Sequence, residues 1–282
     1  MIKINQLTFS YTNDPFINDL NLNIKPGECF GFLGPSGAGK STIQHILIGL
    51  LTNYQGSVEV DNTEIRTRKN TFYERIGVMF EYPTLYNKYS ARHNLEFFGS
   101  LYNGRTRDID TLLDRVGLLS HADKKVGAFS KGMRTRLCFV KAIMHNPVVL
   151  FLDEPTSGLD PTNSSLLKSM IKEEQALGTT IVMTTHNMAD ATDLCDRVAF
   201  IVDGAIAATD TPTQFMRATY PQEVTYTAIE EGVEVSHTIA LSTLSKDPIF
   251  LEHIHQNTIT SIHSSEITLG DVFIRVTGKR LS

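Results

Sequence analysis

Gly34-Pro35-Ser36-Gly37-Ala38-Gly39-Lys40-Ser41-Thr42 is the stretch from which the rest of the chain can be read. Two glycines stand five apart, and Lys-Ser follows the second. Upstream, Cys29-Phe30-Gly31-Phe32-Leu33 is a short apolar run that reads as a strand. Downstream, Ile43, Leu47 and Leu50 recur at helical spacing. Strand, glycine loop and helix together make a P-loop. The glycines let successive backbone N–H groups turn inward around phosphate oxygens, at the positive end of a helix dipole. Lys40 is placed to reach the β- and γ-phosphates, and the Ser41 hydroxyl to bind Mg²⁺. The whole run from Gly34 to Thr42 is therefore expected to bind a nucleoside triphosphate.

Composition narrows the context. The 282 residues suffice for one large domain, or a medium one with a small companion. A 41% apolar and 20% charged content is that of an ordinary globular protein. The net charge of −5 argues against a general nucleic-acid binder, which is usually basic. Cys29, Cys138 and Cys195 are odd in number and far apart in sequence. They suit a reducing cytosol and are expected as small core residues rather than as a disulfide framework or zinc site. Met1-Ile2-Lys3-Ile4-Asn5 opens no apolar stretch of signal-peptide length, and no run approaches the ~20 apolar residues that span a bilayer. Any membrane part is expected from another polypeptide.

Along the chain, residues 1–26 read as short strands around a turn at Tyr11-Thr12-Asn13-Asp14-Pro15. Ser57–Val60 and Arg75–Phe80 read as further strands. From about 86 to 145 the pattern turns helical, with apolar faces at Leu95, Phe98 and Leu101 and at Leu112, Leu113 and Val116. Pro147-Val148-Val149-Leu150-Phe151-Leu152 suits a strand buried on both faces of a parallel sheet. A helix over about 162–177, the strand Thr180–Thr184, another helix and a hairpin around Asp203-Gly204 follow. Beyond about residue 220 the character shifts: a hairpin over Val224–Val235, a third strand at Ile259–Ile262 and a closing amphipathic helix from Leu269 to Thr277. Residues 221–282 are expected as a small separate α+β domain.

Asp153 and Glu154 end the apolar strand, which would deliver two carboxylates to the sheet edge where the P-loop also opens. Asp153 is expected to hold Mg²⁺, directly or through water. Glu154 is expected to polarise the attacking water as general base. The competing reading is a helix N-cap pair ahead of Pro155-Thr156.

With these residues in view, the chain resembles the nucleotide-binding subunit of an ABC transporter over about residues 1–215. Phe129-Ser130-Lys131-Gly132-Met133 stands where that family has its signature motif, and Ser157-Gly158-Leu159-Asp160 matches its D-loop. Thr185-His186 falls where it has a switch histidine, and Tyr11 where it has an aromatic that stacks on adenine. Each motif is short, but their order and spacing agree. The resemblance implies an α/β fold: a P-loop NTPase (RecA-like) core with an antiparallel β-subdomain and a helical subdomain, spanning 1–220, followed by the C-terminal α+β domain. It also implies an ATPase using ATP and Mg²⁺, with Lys40, Glu154 and His186 catalytic. Ser130 and Gly132 would cap the γ-phosphate bound by a second subunit, in a head-to-tail dimer, likewise with Asp160 in the D-loop at the nucleotide.

Two departures stand out. The family's Leu-Ser-Gly-Gly-Gln reads Phe-Ser-Lys-Gly-Met here, a form that resembles subunits paired with ABC-2-type export permeases. Residues 268–278 also resemble the closing helix of drug- and antibiotic-exporter ATPases of that class. Glu81, in Val78-Met79-Phe80-Glu81-Tyr82-Pro83, occupies the position of the family's Q-loop glutamine. A carboxylate there would bind Mg²⁺ more tightly but repel the γ-phosphate unless the metal lies between. The alternative is an exposed side chain whose role a neighbour or water fills.

The expected function is thus ATP-driven export through a separate permease at the cytoplasmic face of the membrane, with the permease meeting the chain around Glu81–Tyr89. A soluble ABC-type ATPase acting on ribosomes or DNA is the alternative, disfavoured by a single cassette, no long heptads and an acidic balance. A binding module without catalysis sits poorly with Glu154 and His186.

Overall fold

A computed structural model describes residues 1–12, 14–104, 106–219, 223–264 and 267–279. It divides into two compact units, Met1–Thr211 and Pro212–Lys279. In chain order the first contains β1 (Ile2–Phe9), β2 (Ile17–Ile24), β3 (Cys29–Leu33), α1 (Lys40–Leu47), β4 (Tyr54–Val60), β5 (Thr63–Glu64), β6 (Ile76–Met79), α2 (Ala91–Gly99), α3 (Ile109–Arg115), α4 (Lys131–Ile143), β7 (Val149–Asp153), α5 (Pro161–Ala176), β8 (Thr180–Thr185), α6 (Met188–Leu194), β9 (Arg197–Val202) and β10 (Ala205–Asp210). The second contains α7 (Pro212–Thr219), β11 (Glu223–Glu230), β12 (Val233–Ala240), α8 (Pro248–His255), β13 (Ile259–Ser264) and α9 (Leu269–Thr277).

Two sheets build the first unit. An antiparallel one runs β2-β1-β4-β5, and its inward residues Ile2, Ile4, Leu7, Val58 and Val60 are fully buried. A mostly parallel one runs β10-β9-β3-β8-β7-β6, with only the β9–β10 pair antiparallel. Every residue of β3, β7 and β8 is buried, which is why these strands read as continuous apolar runs. Phe30 and Phe32 join the antiparallel sheet's side chains in one core. Because β3, β7 and β8 are parallel neighbours, Leu33, Asp153 and Thr185 end on the same edge, and everything just beyond them converges there.

The helical stretch is α2, α3 and α4, with Leu95, Leu112, Leu113 and Val116 buried as anticipated. Leu50 and Leu101 depart from the helical reading, at 60% and 63% exposed. The helix α1 stops at Leu47, and Gly49 at φ 77° turns the chain out of helical geometry, so Leu50 leaves the buried stripe. Both leucines line an apolar groove of about 580 Å³ together with Val78, Phe80, Phe98 and Lys141. Arg107, ahead of α3, binds the fully buried Glu174 of α5 through two parallel hydrogen bonds of 2.5 and 2.7 Å.

All three cysteines are buried and unbridged. Cys29 at the start of β3 and Cys195 at the end of α6 meet, and their hydrogen bond, with burial, holds the Cys195 thiol well above its ordinary pKa.

In the second unit, β12-β11-β13 form an antiparallel sheet covered by α8 through Tyr226, Ala228 and Phe250. The strand over Ile259 and the helix Leu269–Thr277 lie where the sequence placed them. A Thr268–Asp271 capping box starts α9, and Gly278 in the left-handed region ends it. Missing from the sequence reading is α8. Its Asp247 cap and Pro248 first turn are a legible start. Ile249, Leu251 and Ile254 are nonetheless substantially exposed, and Phe250 and His253 are its buried residues.

Candidate nucleotide site

The edge beyond β3, β7 and β8 holds a cleft of about 210 Å³ lined by Phe16, Ser36, Gly37, Gly39, Lys40, Ser41, Thr42, Glu81, Asp153, Glu154 and His186. Its floor is the loop between β3 and α1. At Gly34 a side chain is barred, because a Cβ would lie 2.2 Å from the Ile201 carbonyl oxygen. Gly39 caps α1 at φ 110° with no side-chain hydrogen bond, leaving the first helical N–H groups free for an anion. Pro35 and Ala38 shape the loop from behind, through the Ala38 N–H bond to the Pro35 carbonyl (3.2 Å) and the Gly204 N–H bond to the Ala38 carbonyl (3.0 Å).

Lys40 is buried, and its ammonium donates to the Gly34 carbonyl at 2.7 Å and the Pro35 carbonyl at 2.9 Å. Burial lowers its pKa, while Glu154 and then Asp153 pull the other way. The positive charge is thus held at the loop by neutral carbonyls, which a phosphate would out-compete.

On the opposite wall Asp153 is buried and accepts the Thr184 hydroxyl. Glu154 sits at φ 48°, an uncommon left-handed position for a residue with a side chain, fixed by its N–H bond to the Thr184 carbonyl (3.0 Å). Its Oε1 accepts the His186 backbone N–H at 3.0 Å and the ring Nδ1–H at 2.8 Å, and its Oε2 accepts the Thr185 hydroxyl at 3.2 Å. A carboxylate only accepts, so Nδ1 carries the proton and Nε2 is the ring atom left to face the cleft. Ser41, Asp153 and Glu81 offer hydroxyl and carboxylate oxygens only. That donor set fits a hard divalent cation such as Mg²⁺ and would not favour a softer metal.

Tyr11 stands beside the cleft, 59% exposed, with its hydroxyl 3.0 Å from that of Thr42 and its ring edge-on to Phe9. Phe16, which the sequence reading did not single out, lines the cleft 5.5 Å from the Tyr11 ring. Its signal was an aromatic closing the same turn. Thr184 and Thr185, which hold the two carboxylates, were also missed, since a strand-end threonine carries no local signature.

Ser130, Gly132 and Asp160 do not line this cleft. Ser130 caps α4 by accepting the Met133 N–H (3.2 Å), and Asp160 caps α5 by accepting the Asn163 N–H (3.1 Å). The two helix starts touch: a Cβ on Gly132 would lie 3.4 Å from Leu159, and Lys131 lies across Gly158. The Asn163 hydrogen bonds hold the Asp160 carboxyl below the usual range.

Fold and site together define a P-loop nucleotide-binding cassette. Residues 17–157 match the ABC transporter family. The whole chain aligns with the fluoroquinolones export ATP-binding protein of Mycobacterium tuberculosis (strain CDC 1551 / Oshkosh), 44% identical over 286 residues and covering 95% of that relative. It is 34% identical over 298 residues to the Nod factor export ATP-binding protein I of Sinorhizobium fredii (strain NBRC 101917 / NGR234), covering 99% of this chain and 87% of the relative. A solved ATP-binding cassette, a dimer in a post-hydrolysis state bound to ADP and Pi, superposes with a TM-score of 0.67 at 26% identity, over 75% of this chain and 98% of its own. The chain belongs to the ABC transporter family and is an ATP-binding ATPase subunit of that family. Among the described residues no helix is long and apolar enough to cross a membrane.

Proposed function

We propose that this subunit hydrolyses Mg²⁺-ATP to power export through a separate membrane permease of the ABC-2 type, at the cytoplasmic face. Residues 1–220 act as the nucleotide-binding domain, with 86–145 as its helical subdomain, and 221–282 as an accessory domain. Two copies close head to tail, each P-loop meeting the Ser130–Gly132 motif of the other.

The observation that carries this reading is the split of the motif set. Glu154, His186, Asp153 and Lys40 line the cleft, whereas Ser130, Gly132 and Asp160 do not, which supports a second chain as the source of the remaining contacts. In the closed site the loop N–H groups and Lys40 bind the phosphates, and Tyr11 stacks on the base. Ser41, Asp153 and Glu81 would hold Mg²⁺, which when bound neutralises charge on the β- and γ-phosphates. Glu154 orients and deprotonates the attacking water, and His186 fixes Glu154 in place. The apolar groove beside Glu81–Tyr89, with Tyr82 at 78% exposed, supports that face as the permease contact. Export, rather than another use of the cassette, rests on the relatives' names and on the Ser-Lys-Gly-Met signature. Nothing in the fold or the relatives supports an action on ribosomes or DNA.

The test is Glu154→Gln, which keeps the shape of the side chain and removes its basicity. With Mg²⁺-ATP it should accumulate as a dimer in analytical ultracentrifugation. A variant that binds ATP and stays monomeric would refute the sandwich.

A further inference from the structure

Three side chains of the second unit converge far from any nucleotide motif in sequence. Glu230 closes β11, His237 lies on β12 and His253 on α8. The Nε2 atoms of His237 and His253 lie 2.6 and 3.1 Å from the same atom, Glu230 Oε1. One ligating atom from each residue falls within 4.8 Å of the others. His253 is 8% exposed, and the His237 ring is stacked on the buried Tyr226 at 5.0 Å. The cluster is therefore held by packing on both sides.

Thr258 orients the His253 ring. Its hydroxyl donates to the His253 carbonyl at 3.3 Å, and its Oγ1 lies 2.8 Å from His253 Nδ1. The hydroxyl thus anchors the Nδ1 side of the ring and leaves Nε2 turned toward Glu230. Nε2 and the carboxylate oxygen stand 3.1 Å apart, a spacing bridged by a ring N–H or by a metal ion. His237 Nε2 points at the same oxygen. Two imidazoles and a carboxylate, one imidazole oriented through its other nitrogen, are the ligand set of zinc-like ions rather than of Mg²⁺ or Ca²⁺.

We propose that Glu230, His237 and His253 form a binding site for a divalent transition-metal ion of the zinc class, with Thr258 orienting the His253 ring and the remaining coordination positions open to water. The ion lies between the two rings and Glu230 and cross-links the β11–β12 hairpin to α8. Metal supply then becomes an input to the accessory domain, independent of nucleotide.

The experiment is equilibrium dialysis of the full, tag-free chain against micromolar Zn²⁺ in excess Mg²⁺, with metal content measured per chain. Co²⁺ replaces Zn²⁺ in a parallel series to read visible absorption from the ligand field. The expected result is one zinc per chain, lost in the His237→Ala/His253→Ala double variant and retained in His186→Ala. Thr258→Val and the near-isosteric Glu230→Gln, which keep the fold's packing, should each weaken binding at least about tenfold. No zinc on the wild-type chain, stoichiometric zinc on the double variant, or unchanged affinity in both conservative variants would overturn the site.

Discussion

Replacing His186 by alanine removes one contact and leaves the rest of the site standing. The Glu154 carboxylate keeps the backbone N–H of residue 186 (3.0 Å) and the Thr185 hydroxyl (3.2 Å), and loses only the ring Nδ1–H at 2.8 Å. A hydrogen bond to a charged group contributes about 1.5–3 kcal/mol. The His186 side chain is 59% exposed, so water competes and the lower half of that range applies. At about 1.4 kcal/mol per decade, kcat should fall about 10- to 40-fold. Full loss of the base in Glu154→Gln should cost more, about 10²- to 10⁴-fold. The P-loop is untouched, so ATP affinity, measured with a fluorescent nucleotide, should stay within about threefold. Steady-state phosphate release gives kcat for wild type, His186→Ala, Thr185→Val and Glu154→Gln. If His186→Ala turned over within about threefold of wild type, the Glu154–His186 contact would be idle and the positioning argument wrong. If ATP affinity fell in step with kcat, the residue would act in ground-state binding instead.

Glu81→Gln should retain ATPase activity within about an order of magnitude, because an amide carbonyl is still an oxygen ligand for Mg²⁺; complete loss would show a distinct need for the acid. Arg107→Ala strands the fully buried Glu174, which should cost about 3–5 kcal/mol and lower the first unit's calorimetric midpoint by about 6–20 °C. A shift below about 2 °C would mean water reaches Glu174 freely. His145 is buried, with Nε2 2.9 Å from the Ile76 carbonyl and its ring stacked on Tyr102 at 3.9 Å. Burial pushes its pKa below the ordinary 6.5, so the unfolded chain takes up the proton first. Its stability contribution is complete above that unfolded value and is lost progressively as pH falls from there through the lower folded-state value. Denaturant melts at about pH 7.5 and 5.5 should show a smaller difference for His145→Gln than for wild type, and an unchanged difference would rule this residue out.

How much of this was legible depends on range along the chain. The loop Gly34–Thr42, the buried strand ahead of Asp153-Glu154 and the strand ahead of His186 each carry a local signature, and each element lies within a residue or two of its reading. What sequence order cannot supply is that β8 lies between β3 and β7, which alone brings Thr184 to Asp153 and Thr185 to Glu154. Phe16 was hidden in a turn, α8 is only 8 residues long, and the Cys29–Cys195 contact joins residues far apart in the chain. Leu50 and Leu101 depart from helical spacing because each lies beyond the end of its helix, α1 at Leu47 and α2 at Gly99.

The central claim is that one ATP site takes residues from two chains, and complementation tests it most directly. Lys40→Ala disables a P-loop; Ser130→Asp retains the α4 cap, since aspartate caps as well as serine, but sets a negative charge against phosphate. Each variant alone should be inactive. Mixed in equal amounts, half the dimers are hybrids carrying one intact site, so ATPase activity should return to roughly a quarter of wild type. A mixture no more active than its separate components would contradict the composite site.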